Sequence, residues 1–479
     1  MAVIEINSIR KIKINLEDYD YRSDLNHRLF LYHLKATDVR LLEEIVYSSI
    51  QISISKLITL VQISEKELFD ALEKFVTLGL ISIRGDIIFV DKQKRKYFEM
   101  HLMRFDEDFK PDMHYFQSLL KTLPIHLLPS WYSISKTSDN IFESIVEKYL
   151  LTPSIYEHHL EEFLSSDPLL QQIGDDLFSH PQKEIALFPL MQKLRLNSIQ
   201  LEQIILLLEY TAIAGCVFHK KGPNFEPYLC AFKEWHEYGD FLQKTDPKEI
   251  ADPKKIDQSY LGDFNFIENM TSCLKCLKEK ALPILETSPL SISLEWVQNY
   301  LKKSKNLQFS NLEDASDYLK SVFSKLIQID LATIKDHKIV FSEKASYWLK
   351  MSLEDQALYL YRHPLNQQAS LDLSLPLKNE KHLREAEKSI LRVLNKGWVD
   401  YESFLKSVCV PLSEVSIVTL KKQGGSYSYE PVQYTEDEKH LLKKTVLDWL
   451  FEVGCVAKGK FQNKDCFRIT NFGKKLFER

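Results

Sequence analysis

Ser64-Glu-Lys-Glu-Leu-Phe-Asp-Ala-Leu-Glu-Lys-Phe-Val-Thr-Leu-Gly-Leu-Ile81 is the stretch on which the fold of this chain turns. Ser64 is a good helix N-cap, and Glu67, three residues on, is its capping-box partner. Leu68, Ala71, Leu72, Phe75 and Val76 recur at spacings of three and four, so the helix buries one face. Gly79 stops it. Residues 81–83 and 87–90 then form a hairpin around Arg84-Gly85-Asp86, and residues 94–105 return as an amphipathic helix. Upstream, residues 39–49 and Ile54–Val61 supply two more helices, with a turn at Gln62-Ile63.

The same order returns three times. In a second copy, residues 198–210 are the third helix, Ala214-Gly215-Cys216-Val217 replaces the Leu-Gly-Leu-Ile break, and residues 219–226 form the hairpin tip. In a third, 312–329 is the long helix and Lys335-Asp-His-Lys338 the tip. In a fourth, 436–453 is the helix, Gly454-Cys-Val456 the break and Thr470 the start of a terminal helix. The loop around Gly424-Gly425-Ser426 is extra length placed before that helix. Three helices followed by a hairpin is the pattern of a winged helix-turn-helix unit. The expected fold is mainly α with small antiparallel hairpins: tandem winged helix-turn-helix domains joined by a helical connector. The expected boundaries are 27–102, 182–241, 264–351 and 383–479 for the four units. The connector is 103–180, where Pro111, Pro124, Pro129 and Pro153 punctuate short helices. A polar linker spans 244–259.

Composition fits this plan. At 479 residues the chain holds several cores. Its net charge of −5 means that nucleic acid would be met by local patches. No apolar run nears the roughly 18 residues that span a bilayer, and the N-terminus lacks a secretory pattern. Seven scattered cysteines suggest a reducing cytoplasm.

The closing segments carry a resemblance. Tyr347-Trp-Leu-Lys-Met-Ser-Leu-Glu-Asp-Gln-Ala-Leu-Tyr-Leu-Tyr-Arg362 is similar to the Trp-Leu, spacer, Leu-rich helix that links repeats in bacterial helicase-associated winged-helix proteins. Those resemble the N-terminal domain of XPB-type helicases. Phe467-Arg-Ile-Thr-Asn-Phe-Gly-Lys-Lys-Leu476 resembles the strand, Leu-Thr-x-x-Gly, helix ending of that group. The other copies lack the Thr-x-x-Gly ending, and no helicase motor is present. The resemblance implies an accessory or scaffolding role in nucleic-acid transactions.

Charge by element separates two kinds of surface. Positions 64–74 set Glu65, Glu67, Asp70 and Glu73 against Lys66 and Lys74, a net of −2. Positions 436–452 also carry −2. Acids near phosphate oppose binding, and neither helix opens on the Arg or Lys that pairs with guanine. The hairpins differ. Positions 84–96 carry +3 through Arg84, Lys92, Lys94, Arg95 and Lys96 against two acids. Positions 457–479 carry +5 through Lys458, Lys460, Lys464, Arg468, Lys474, Lys475 and Arg479, again against two acids. These cations are the candidate phosphate contacts, set against the plainer reading of solvated strands and helix ends. Acidic third helices suit protein docking, with Glu65 and Asp70 as candidate partner contacts. Trp131-Tyr132, in a Pro-flanked loop, is expected to be an exposed partner anchor. From Glu157 to Asp176 six acids stand without a Lys or Arg.

Catalytic motifs are missing: no P-loop, Rossmann fingerprint, Gly-x-Ser-x-Gly elbow or His-Glu-x-x-His occurs. Cys273 and Cys276 share a helix face and are expected in a core, and His158 with Glu162 is expected to be a surface pair. No cofactor and no metal is expected. The expected function is a non-enzymatic adaptor in DNA- or transcription-linked assemblies. It would hold a protein partner through helix faces and duplex DNA, without sequence preference, through basic wings. A sequence-specific transcription regulator, and a protein-interaction module with no nucleic-acid role, are the alternatives.

Overall fold

The computed structural model describes residues 12–258, 262–287, 290–304, 307, 309, 311–363 and 380–478. Ser259 of the expected linker and Arg479 of the basic C-terminal set lie outside them. The chain is mainly helical, with small antiparallel sheets. It divides into one unit running to Asp240 together with Thr419–Glu430, and a second made of Phe241–Val418 and Pro431–Arg479.

In the first unit, α1 (Tyr21–Leu31) precedes a repeat of α2 (Ala36–Tyr47), β1 (Gln51–Ser53), α3 (Ile54–Val61), α4 (Glu65–Thr77), β2 (Ile81–Arg84), β3 (Ile87–Val90) and α5 (Lys92–Leu102). Four helices follow: α6 (Met113–Leu120), α7 (Leu128–Trp131), α8 (Ile141–Tyr149) and α9 (Pro153–Leu164). The second repeat is α10 (Pro168–Ser179), β4 (Glu184–Ala186), α11 (Leu187–Leu194), α12 (Ser198–Tyr210), β5 (Ala214–Lys221), β6 (Asn224–Ala231) and α13 (Lys233–Lys244).

The second unit holds the third repeat: α14 (Asn265–Glu279), β7 (Leu282–Thr287), β8 (Leu290–Ile292), α15 (Leu294–Lys303), α16 (Leu312–Gln328), β9 (Ala332–Lys335), β10 (Lys338–Phe341) and α17 (Glu343–Trp348), followed by α18 (Leu353–Arg362). The fourth is α19 (Glu380–Lys388), β11 (Val399–Asp400) and α20 (Tyr401–Leu405), then α21 (Glu436–Lys444), a π-helical turn (Thr445–Trp449), α22 (Leu450–Glu452), β14 (Val456–Phe461), β15 (Lys464–Ile469) and α23 (Asn471–Phe477). Between α20 and α21 an added hairpin, β12 (Leu420–Gln423) and β13 (Ser426–Tyr429), belongs to the first unit. There the Leu420 N–H donates to the Leu151 carbonyl and the Tyr429 hydroxyl to the Leu150 carbonyl, 2.8 and 2.6 Å.

Three devices recur in every repeat. The first is a polar cap on the third helix. Ser64 and Glu67, Asn197 and Gln200, and Thr435 and Glu438 form reciprocal capping boxes, and Asn311 accepts from the Asp314 N–H. The second is a left-handed residue just after that helix: Gly79 (φ 68°), Ala212 (55°), Asp330 (61°) and Gly454 (85°). The third is strand order. The sheets run β1-β3-β2, β4-β6-β5, β11-β15-β14 and, with one strand added, β8-β7-β10-β9. In three of them the strand before the second helix pairs antiparallel with the hairpin's return strand, as in Ile52 with Ile88 and Val399 with Phe467, and in the third repeat β7 does so, with β8 added outside it.

The boundaries shift from those expected. Helix α10 lies inside the expected connector, yet it packs on β4 and β6 as the first helix of the second repeat. Residues 27–31 belong to α1, which packs on α12 rather than opening the first repeat. Gly215 is not the break of the second repeat. It is the second residue of β5, and the turn falls on Ala212.

Candidate functional site

The third helices and hairpins are the candidate contact elements. On α4 the inward face holds Leu68, Ala71, Leu72 and Phe75. The outward face is open: Glu65, Lys66, Phe69, Asp70, Glu73 and Val76 are all exposed, with Phe69 50% and Val76 42% accessible. Lys74 is turned away and pairs with Asp38 at 2.9 Å. Glu65 and Asp70 therefore stand on a solvent face that is both apolar and acidic.

Beside it, the first hairpin and the start of α5 carry cations. Arg84, Lys92 and Lys96 are exposed and Arg95 is half-buried, and the ion pairs among the described residues leave all four out. Arg84 lies 5.4 Å from the Phe89 ring centroid. Lys94 is used structurally: its Nζ donates to the Leu78 carbonyl and so caps α4.

The C-terminal hairpin is more committed. Arg468 pairs with Asp263 at 2.8 Å and lies over Trp398. Lys458 contacts Asp448 at 3.3 Å and lies over Phe451. The outer edge of β14 is taken up as well. Asp257 and Lys460 exchange backbone hydrogen bonds of 2.8 Å, and Ile256 packs with Trp398 and Cys466. The expected linker is thus bound to this hairpin through part of its length. Lys460, Lys464 and Lys475 remain exposed and Lys474 half-buried.

Helix α12 occupies the same place in its repeat as α4, but beyond its first turn it is almost wholly buried. Two carboxylates lie within it. Glu202 is bonded by Arg28 from α1 and by the Tyr32 hydroxyl. Glu209 meets Arg28 Nη2 at 3.0 Å and Arg104 Nη2 at 2.9 and 3.0 Å, accepts from the Tyr115 hydroxyl at 3.1 Å and from the Cys216 N–H at 3.2 Å. Burial alone would raise the Glu209 carboxyl, but Arg104 and Arg28 outweigh it and hold it below the ordinary value. His101 is buried beside this cluster, and burial first, then Arg104 and Arg28, push it well below its ordinary value. Two carboxylates against two guanidiniums make a charge-balanced buried cluster, in which Arg28 Nη1 and Nη2 and Arg104 Nε are ion-paired or enclosed without a hydrogen-bond partner. The hairpin tip of this repeat is engaged too: the Ala36 N–H donates to the Pro223 carbonyl at 2.9 Å.

One expectation is overturned. Trp131 and Tyr132 are 0% and 1% exposed and are not surface anchors. Pro129, read as loop punctuation, stands in the first turn of the short helix α7, and both rings lie inward. Trp131 Nε1 donates to Asp18 at 2.7 Å and the Tyr132 hydroxyl to the Tyr210 carbonyl. Trp348, Trp398 and Trp449 are buried, and Trp235 and Trp296 half-buried. Cys273 is buried and Cys276 half-buried on α14, and exposed His158 pairs with half-buried Glu162 at 3.8 Å. All seven cysteines are free. Burial pushes the Cys216 thiol up to about 12, far from a reactive thiolate.

No family model, no curated protein and no solved structure matches the chain. Among the described residues no His, Cys, Asp and Glu cluster could hold a metal ion, and no helix is long and apolar enough to cross a membrane.

Proposed function

We propose that this chain is a cytoplasmic, non-enzymatic adaptor of four tandem winged helices, working in DNA- or transcription-linked assemblies. Its first repeat docks a protein through α4 and sits on phosphates through its hairpin. One observation carries this reading: the open face of α4 is apolar and acidic, while cations free of ion pairs gather on the adjoining hairpin and α5. A helix that reads the major groove needs donors for base edges, and acids there oppose the counterion release that drives binding. The sequence-specific regulator is disfavoured on that ground, and because α12 is committed to a core.

The test is fluorescence anisotropy against a random duplex. Affinity should fall by about tenfold or more between roughly 50 and 200 mM salt, and Arg95→Ala with Lys96→Ala should flatten that slope. No binding at low salt would remove the nucleic-acid half of the proposal. The interaction module without a nucleic-acid role gains support from the fourth repeat, where Lys458 and Arg468 are spent on internal pairs. Duplex binding that survives loss of the first-hairpin cations, but not of Lys464 and Lys475, would move the phosphate surface to that repeat.

A further inference from the structure

We infer that the outward face of α4 is the seat of a basic amphipathic helix from another protein. The inference rests on the adaptor reading and names the chemistry of its partner. Along one line of α4, at helical spacing, stand Glu65, Phe69, Glu73 and Val76, all exposed. Phe69 and Val76 are seven residues apart, about 10.5 Å along the axis. Asp70 lies beside them, and no ion pair among the described residues engages Glu65, Asp70 or Glu73. Lys66 is the single exposed cation of this helix.

Apolar and acidic side chains therefore alternate over about three turns. Their complement is a surface with apolar groups two turns apart and Lys or Arg between them, which is what an amphipathic basic helix presents. The face also differs from its equivalents. The outward residues of α16 are Glu313, Asp314, Asp317 and Ser324, acidic with no large apolar side chain, and α12 is buried beyond its first turn. Leu60 of α3, in the same repeat, is exposed as well. What distinguishes this face is the pairing of large apolar with acidic side chains, which calls for a partner that is both apolar and cationic. The acids select for a cationic partner and speed its approach.

The experiment titrates the full chain into a fluorescein-labelled peptide of about 18 residues, leucine at helical spacing and lysine elsewhere. The wild-type chain should bind it. Phe69→Ala, and separately Asp70→Lys with Glu73→Lys, should each weaken binding by about tenfold. Glu161→Lys with Asp175→Lys, in the acidic stretch that ends in α10, should leave it within about twofold. Equal loss from that pair, or no loss from Phe69→Ala, would show unselective attraction to acidic surface and overturn the inference, as would no binding by the wild type. Thermal melts of each variant should match the wild type, since every substituted side chain is exposed. Random-duplex binding measured on the same samples separates the outcomes: its absence in the wild type would remove the nucleic-acid half of the adaptor reading and leave peptide docking to be judged alone, whereas peptide failure with duplex binding intact sinks this inference alone.

Discussion

Helices α4 and α12 hold the same position in their repeats, start on the same capping box and end on a left-handed residue, yet one faces water and the other faces protein. Local sequence sets the helix, whereas its surroundings set its use. Around α12, α1 and the residues after α5 bring Arg28 and Arg104 onto Glu202 and Glu209, so the surface that a repeat would offer a partner is consumed internally. Around α4 nothing comparable is spent, and the acids stay in solvent.

Breaking one partner of the buried set should have the largest effect. Arg28→Ala leaves Glu202 and part of Glu209 uncompensated and should cost about 3–5 kcal/mol in urea unfolding, whereas Asp70→Ala on α4 should stay within about 0.5 kcal/mol. A small cost for Arg28→Ala would mean that the pairing adds nothing beyond packing.

Acid should act on the buried side of the comparison. Glu209 is held below its ordinary value, so its contribution is present above pH 4.5 and lost as pH falls through its folded value. His101 is also depressed: the unfolded chain gains its proton below about 6.5 while the folded chain does not, so stability again falls with pH. His101→Phe should flatten the loss between about pH 7 and 5 in urea melts, and an unchanged slope would assign that loss elsewhere. Glu234 runs the other way. Burial pushes its carboxyl up to about 8, against the Met113 N–H that donates to it at 2.8 Å. Its contribution is full below 4.5 and lost as pH rises through about 8. Glu234→Gln keeps that acceptor and should gain stability over the wild type at pH 9 but not at pH 4, compared by thermal melting.

Smaller effects than at the buried charges should come from the caps, the feature the two helices share. Ser64→Ala and Asn197→Ala should each cost about 1 kcal/mol in chemical denaturation. A clear difference between them would mean that burial, rather than the cap, holds one of the helix starts.

Much of the repeat was legible. Ile54–Val61 and the capping box at Ser64 stand as the spacing predicts, and the hairpins fall around the expected tips. The other caps carried the same signal, since Asn197, Asn311 and Thr435 are each followed three residues on by Gln, Asp or Glu. The buried character of α12 was written there too. Ile204–Leu208 is apolar on every side, so Glu202 and Glu209 in that helix had to be paired. Their partners were not legible, because Arg28 and Arg104 lie 174 and 105 residues away in sequence. Trp131 misled because a proline that usually marks a loop here stands in the first turn of a helix, where a missing N–H costs nothing.

The residue after each third helix shows how such a repeat drifts. Gly79, Ala212, Asp330 and Gly454 have little side-chain chemistry in common, yet all four carry the backbone into the same left-handed corner. Alanine there costs roughly 1–2 kcal/mol of conformational strain, which the rest of the second repeat absorbs. What the four positions share is therefore a handedness, not a residue. A comparison that scores side chains meets four letters of three kinds at the one position where the chain makes the same turn every time.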